Sequence, residues 1–267
     1  VLAGEGEGEF MPERVQVDIA NSVATFTLDH PPLNTFDTTL RRELSAAATE
    51  LAEDAEVRVV VLHSTAQVFA AGADIKQLAD HDYESIVRWN AAMQRTLTQI
   101  AALPMPVVAA VNGHALGGGM ELALAADCRI VADNAKLGYP EVLLGIMPGS
   151  GGTQRLARLV GPSRAKELLM TGRKIPAAEA LRLGMVDEVV TDGGAYAAAA
   201  EYADRLAAGP RFAIQAIKEA VDHGGDAPLS SGLALERSLI AGLFATEDRN
   251  TGMASFISDG PGKARFS

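Results

Sequence analysis

The spacing of apolar residues along the chain changes with position, and each spacing predicts an element. Residues 15–19 alternate (Val-Gln-Val-Asp-Ile), residues 23–28 are mostly apolar or β-branched, and Asn21-Ser22 between them suit the turn of a hairpin. Asp37 predicts the cap of a helix running to about Ala52, with Leu40, Leu44, Ala47, Ala48 and Leu51 on one face. Runs at 57–62, 106–111 and 129–132 are nearly continuous in apolar residues, and helical stretches lie between them. The order strand–helix–strand calls for a mostly parallel sheet covered by helices. From Thr153 onward helices dominate. Gly161-Pro162 divides two of them, Pro176 opens another at Ala177, and 186–190 suit one short strand. Further helices are predicted over 195–207, 211–221, 230–244 and 249–256. The chain reads as α/β, with a helical tail rich in Ala and Leu that packs on its own core or on another subunit.

The first ten residues, VLAGEGEGEF, contain no Arg or Lys, unlike a secretory signal or a mitochondrial presequence. Residues 1–12 are expected to be a disordered extension, with Met11 a candidate start. The core is placed at 13–205 and the helical region at 206–267. No apolar run approaches the roughly 18 residues that a membrane span needs. One cysteine in 267 residues, Cys128, leaves no disulfide framework and no cysteine-based zinc cluster. With no export signal and one thiol, a cytoplasmic setting is the expectation.

Charge narrows the partners. The formal net charge is −11, which argues against a sequence-independent nucleic-acid binder and against docking on anionic membranes. Aromatics at 5% offer no base-stacking platform. An anionic ligand must therefore be held by local dipoles or a few placed cations.

Three glycine-rich segments carry the chemistry. In Phe69-Ala70-Ala71-Gly72-Ala73-Asp74-Ile75-Lys76, small residues expose the backbone, and Asp74 suits the cap of a helix beginning near Ile75. Free N–H groups at such a helix start bind anionic or polarised oxygen. In Asn112-Gly113-His114-Ala115-Leu116-Gly117-Gly118-Gly119-Met120-Glu121, three glycines stand at another helix start, where each costs about 1 kcal/mol relative to alanine. Glu121 follows Gly118 by one turn, beside the free N–H groups. The helix dipole is expected to hold it ionised. The third segment supplies Glu141 after Tyr139-Pro140, and then the loop Pro148-Gly149-Ser150-Gly151-Gly152. Ser150 lacks the first glycine of a nucleophile elbow and reads as a turn residue. No segment is a P-loop or a dinucleotide fingerprint, and the five histidines show no metal spacing. Cys128 reads as a small hydrophobe. Trp89 and Phe244 read as core, with the lining of an acyl pocket as the alternative.

Together, FAAGADIK, ALGGGMELAL and PEVLLGIMPGSGGTQRL closely resemble the enoyl-CoA hydratase (crotonase) family. The likeness extends over about 15–256. It implies a spiral of ββα units with a C-terminal helical trimerisation region, assembled as homotrimers or dimers of trimers. It implies an acyl-CoA thioester as ligand, with no cofactor and no metal beyond the substrate's own coenzyme A. By resemblance, the N–H groups of Ala73 and Gly118 receive the thioester oxygen. Ala71, Ala73, Asp74, Ile75, Lys76, Gly118 and Gly149 contact the coenzyme A ester, and Gly149 N–H also orients Glu141. Lys263 and Arg265 occupy a tail that is more basic in the family than here.

Members that hydrate carry glutamates at the positions of Glu121 and Glu141. The implied reaction adds water to a trans-2-enoyl-CoA in the degradation of fatty-acyl or related esters. Glu121 acts as base and Glu141 as acid, a division less firm than the pair because coupled carboxyls share protons. A Δ3,Δ2-enoyl-CoA isomerase, a hydratase of branched esters such as 3-methylglutaconyl-CoA, and a non-catalytic acyl-CoA binder are the alternatives. Retention of both acids argues against the last.

Overall fold

The computed structural model describes residues 13–65 and 67–266; the extension expected over 1–12 lies outside the described residues. In chain order the elements are β1 (Val15–Ala20), β2 (Val23–Leu28), α1 (Thr38–Glu53), β3 (Val59–Ser64), β4 (Val68–Ala70), α2 (Ile75–Ala79) and α3 (Tyr83–Ala101). Next come β5 (Val107–Val111), β6 (His114–Leu116), α4 (Gly118–Ala123), β7 (Cys128–Ala132), β8 (Lys136–Gly138) and a 3₁₀ helix (Pro140–Leu144). Then follow α5 (Gly152–Val160), α6 (Pro162–Thr171), β9 (Ile175–Pro176), α7 (Ala177–Arg182), β10 (Glu188–Val190) and α8 (Ala195–Ala207). The chain closes with α9 (Arg211–Gly225), α10 (Leu229–Leu243) and α11 (Glu247–Asp259).

The expected hairpin forms, with Asn21 and Ser22 at φ 51° and 63°, as a two-residue turn of matching twist requires. Six strands then make one sheet in the order β1-β2-β3-β5-β7-β10, parallel from β2 onward. Its central strands are apolar without alternation because both faces are covered. Val59 and Val61 meet Ala199 and Ala203 of α8, while Val60 and Leu62 join the main core with α1 and α3. Asp37 caps α1 by accepting from Leu40 N–H, and the five residues expected on its inner face are the buried ones.

The apolar run at 57–62 becomes a strand two residues later. Pairing of Val23 with Val59 sets its start, and Arg58 N–H instead donates to the Ser22 carbonyl at the hairpin turn (2.8 Å).

A second sheet, β4-β6-β8-β9, was not visible in the apolar pattern because its strands are two or three residues long. β4, β6 and β8 run parallel, with Ala70 opposite Ala115 and Leu116 opposite Gly138. Their C-terminal ends therefore lie side by side. The chain leaving β4 is the Ala71–Asp74 loop, the chain leaving β6 enters α4, and the chain leaving β8 enters the 3₁₀ helix. The three glycine-rich segments are the exits of three neighbouring strands.

No described residue after Ala207 is buried. Lys218 ties α9 to the core through Asp127 (2.8 Å) and the Met105 carbonyl (3.1 Å). Phe244, expected in the core, is 54% exposed, because α10 packs mainly on α9 rather than on the sheets. Among the described residues, no helix is long and apolar enough to cross a membrane.

Candidate active site

Beyond the ends of β4, β6 and β8 lies a cavity of about 570 Å³. Its polar end is built from backbone. Phe36 N–H donates to the Gly72 carbonyl (2.8 Å), and Asp74 N–H donates to the Phe36 carbonyl (3.1 Å). Ala73 sits between these two bonds, and along an extended chain successive amides face opposite ways. Its N–H therefore points away from Phe36, and Ala73 lines the cavity. Gly118 is the first residue of α4, where an N–H has no acceptor within the helix. It lines the same cavity.

The two loops touch because neither carries a side chain at the contact. A Cβ on Gly72 would stand 3.0 Å from Gly118 N and from the Leu116 carbonyl oxygen. Gly72 at φ 91° and Gly117 at φ 54° also adopt backbone that other residues rarely take. The result is two residues with open backbone on adjoining loops, both lining one cavity.

Two carboxylates line that space with them. Glu121 is buried, 3% exposed, and its Oε1 accepts from Ser150 N–H (2.7 Å) and Gly152 N–H (2.8 Å). Gly152 is the first residue of α5, so the helix N-terminus aimed at Glu121 belongs to α5 and not to its own helix α4. Burial pushes the Glu121 carboxyl above its ordinary range, opposed by those amides and by Arg155. The expectation of a carboxylate simply held ionised by its own helix is thus corrected. Desolvation favours the protonated form, and donors from a distant loop counter it.

Glu141 projects from the 3₁₀ helix. Its Oε1 lies 2.8 Å from where a Cβ on Gly117 would be, so it stands against the donor loop. Its Oε2 is buried without a partner. Burial, with a smaller contribution from Glu121, raises its pKa to about 7. Near neutral pH both of its forms are populated.

Of the residues expected at the site, Ala71, Ala73, Ile75, Gly118 and Gly149 line the cavity with Glu121 and Glu141; Asp74 and Lys76 do not. Asp74 caps α2, accepting from Lys76 N–H (2.9 Å), and Lys76 is exposed on that helix. The loop amides that reach a carboxylate are those of Ser150 and Gly152, on Glu121; Gly149 instead accepts from Gln94 Nε2 at its carbonyl (2.7 Å). Trp89 packs on the core and also lines the cavity. Cys128 is half-buried on β7, and burial pushes its thiol up to about 11, so it is no ready nucleophile. Sequence reading missed the Ser150 and Gly152 donors, although glycines directly before an apolar-periodic helix were a signal that its first amides stand open.

The family model for enoyl-CoA hydratase/isomerase matches residues 18–263. The Mycobacterium tuberculosis protein named "Probable enoyl-CoA hydratase echA8" is 41% identical over 246 residues, covering 92% of this chain and 95% of that protein. The short-chain-enoyl-CoA hydratase of Clostridium acetobutylicum is 38% identical over 237 residues, covering 88% and 91%. The crystal structure of an enoyl-CoA hydratase from Bacillus anthracis superposes with a TM-score of 0.88 at 40% identity, covering 92% and 96%. The chain belongs to the enoyl-CoA hydratase/isomerase family, has the crotonase fold with its C-terminal helical region, and is a lyase of the enoyl-CoA hydratase kind.

Gly72→Ala tests the donor pair. The added methyl must push Gly118 N or the Leu116 carbonyl aside, and the residue must hold φ 91°. Turnover of crotonyl-CoA is expected to fall about 100-fold or more, as when one oxyanion donor is lost. The far-ultraviolet circular dichroism should stay native. Full turnover in a folded variant would contradict the account.

Proposed function

We propose that the protein adds water across the C2–C3 double bond of a trans-2-enoyl-CoA, giving a 3-hydroxyacyl-CoA, in the degradation of fatty-acyl or related esters. The observation that carries this reading is the placement of two free amides and two carboxylates around one cavity. The thioester oxygen sits between the N–H groups of Ala73 and Gly118. As the nucleophile adds at C3, electrons move to that oxygen. Fixed donors there stabilise the enolate-like state more than the ground state.

Glu121 is the base. Ser150 and Gly152 occupy its Oε1, which leaves Oε2 to take the proton of the attacking water. Glu141 is the acid that supplies the proton to C2, and a pKa of about 7 keeps enough of it protonated to do so. The chemistry is proton transfer to and from carbon and oxygen, and no cofactor beyond the ester's own coenzyme A enters it. Ala71, Ile75 and Gly149 contact the ester along the cavity, with Asp74 ordering α2 and Lys76 reaching a phosphate from outside the wall. An isomerase needs chiefly one acid, and the second carboxylate, held by two dedicated amides, favours hydration.

We further infer a homotrimer or a dimer of trimers. Phe212, Ile217, Phe256 and Ile257 on α9 and α11 are more than half exposed, an apolar load that a monomer rarely leaves open. Light scattering is expected to give three or six chains per particle, and a monodisperse monomer would refute the assembly.

Glu121→Gln and Glu141→Gln should each lower kcat by about 100-fold or more while the affinity for a saturated acyl-CoA changes little. The pH profile follows from the signs. Turnover needs Glu141 protonated, so activity falls as pH rises past about 7. It also needs Glu121 ionised, so activity falls on the acid side as that raised pKa is crossed. The alkaline limb should vanish in Glu141→Gln. Unchanged kcat in both variants would refute the assignment.

A further inference from the structure

One face of α3 forms a wall of the cavity. Its inward residues, Ile86, Trp89, Asn90 and Met93, fall at the helical spacing of a single stripe. Three are apolar and one is an amide. Opposite, Leu144, Ile146 and Met147 supply more apolar wall. The Asn90 side chain lies over the Cα of Gly149: a Cβ there would stand 2.8 Å from Asn90 Oδ1 and 3.0 Å from Nδ2. Gly149 is thus glycine to admit the amide, and Gln94, one turn further along α3, locks the loop by donating to the Gly149 carbonyl (2.7 Å). The Asn90 amide itself makes no hydrogen bond to the described residues. Its donors and acceptor are offered to the cavity.

An amide set into an apolar wall is unfavourable unless the ligand meets it with a hydrogen bond. The charges around it restrict what that group is. The ionisable residues lining the cavity are Glu121, Glu141, Asp82, His81 and Tyr83, and among the described residues no Lys or Arg lines it. A carboxylate on the acyl chain would meet like charge and find no fixed cation.

We propose that Asn90 is a specificity-determining residue that takes up an uncharged oxygen, a hydroxyl or oxo group, on the acyl chain of the ester. The preferred acyl group is therefore neither a plain hydrocarbon nor a dicarboxylic one. This rests on the reading of the cavity as an acyl-CoA site, and it names the class of ester that site takes.

The test is binding of unreactive saturated esters, followed by calorimetry: hexanoyl-CoA, its hydroxy derivatives at C4, C5 and C6, and its ω-carboxylated counterpart. In the wild type at least one hydroxy ester is expected to bind roughly tenfold tighter than hexanoyl-CoA, the yield of one well-placed hydrogen bond. The ω-carboxylated ester should bind more weakly than hexanoyl-CoA. In Asn90→Leu, which keeps the shape and removes the polar atoms, the hydroxy advantage should shrink to within twofold while hexanoyl-CoA binds as well or better. Asn90→Ala gives the same comparison without pressing on Gly149. The proposal is overturned if no hydroxy ester outbinds hexanoyl-CoA in the wild type, or if the advantage survives in both variants. Hydration of crotonyl-CoA by the wild type is measured separately. Its failure would sink the hydratase reading, and the binding comparison would still decide the role of Asn90.

Discussion

Parallel pairing of three very short strands, β4, β6 and β8, is the constraint from which the site follows. Each contributes three residues and little stability of its own. Their parallel register does something that longer strands further away could not: it delivers three successive loops to one edge. In parallel sheets the carboxyl ends of neighbouring strands form the natural crevice for a ligand. Here the crevice receives Ala73 from the first exit, Gly118 and Glu121 from the second, and Glu141 from the third. The absence of side chains at Gly72 and Gly117 lets the first two exits close to contact distance. The larger six-stranded sheet carries the core and the α8 layer, and among the described residues none of its strands lines the cavity.

The two carboxylates are alike in type and made unlike by their surroundings. Both are buried enough for desolvation to favour the neutral acid. Glu121 receives compensation from the amides of Ser150 and Gly152, at and just before the start of α5, and from the charge of Arg155. At Glu141 the opposing contribution comes from its own backbone N–H, and its Oε2 is buried without a partner among the described residues. Both carboxyls therefore stand above their ordinary range, and they differ in what opposes burial: loop amides and a guanidinium at Glu121, its own backbone at Glu141. The oxygen that accepts from Ser150 and Gly152 is also fixed in place, so Glu121 is oriented by the same amides.

Long elements were legible in the sequence because their patterns repeat. The five apolar residues of α1 and the Asp37 cap, the Asn21-Ser22 turn and the limits of α8 follow from spacing alone. The glycine-rich segments were legible as open backbone, since glycines at a helix start cost stability without an evident packing reason, whereas the roles of Glu121 and Glu141 followed only from the resemblance to the family. The second sheet was not legible, because two or three residues carry no period. The donors on Glu121 were not legible either, since Ser150 and Gly152 are 29 and 31 positions away and meet it only once α4 and α5 are packed. Phe244 misled for a related reason: an aromatic in a periodic helix reads as core, yet here the helix packs on α9 and leaves the ring open under the guanidinium of Arg249.

The central claim is that the Ala73 and Gly118 amides polarise one carbonyl. Difference infrared spectroscopy of crotonyl-CoA carrying ¹³C at the thioester carbon, bound to Glu141→Gln so that turnover is slow, reads that directly. The account requires the carbonyl band to move to lower frequency on binding, as two hydrogen bonds lengthen the bond. A band at its solution position, or moved upward, would mean that the amides do not meet the oxygen, and the mechanism built on them would fall.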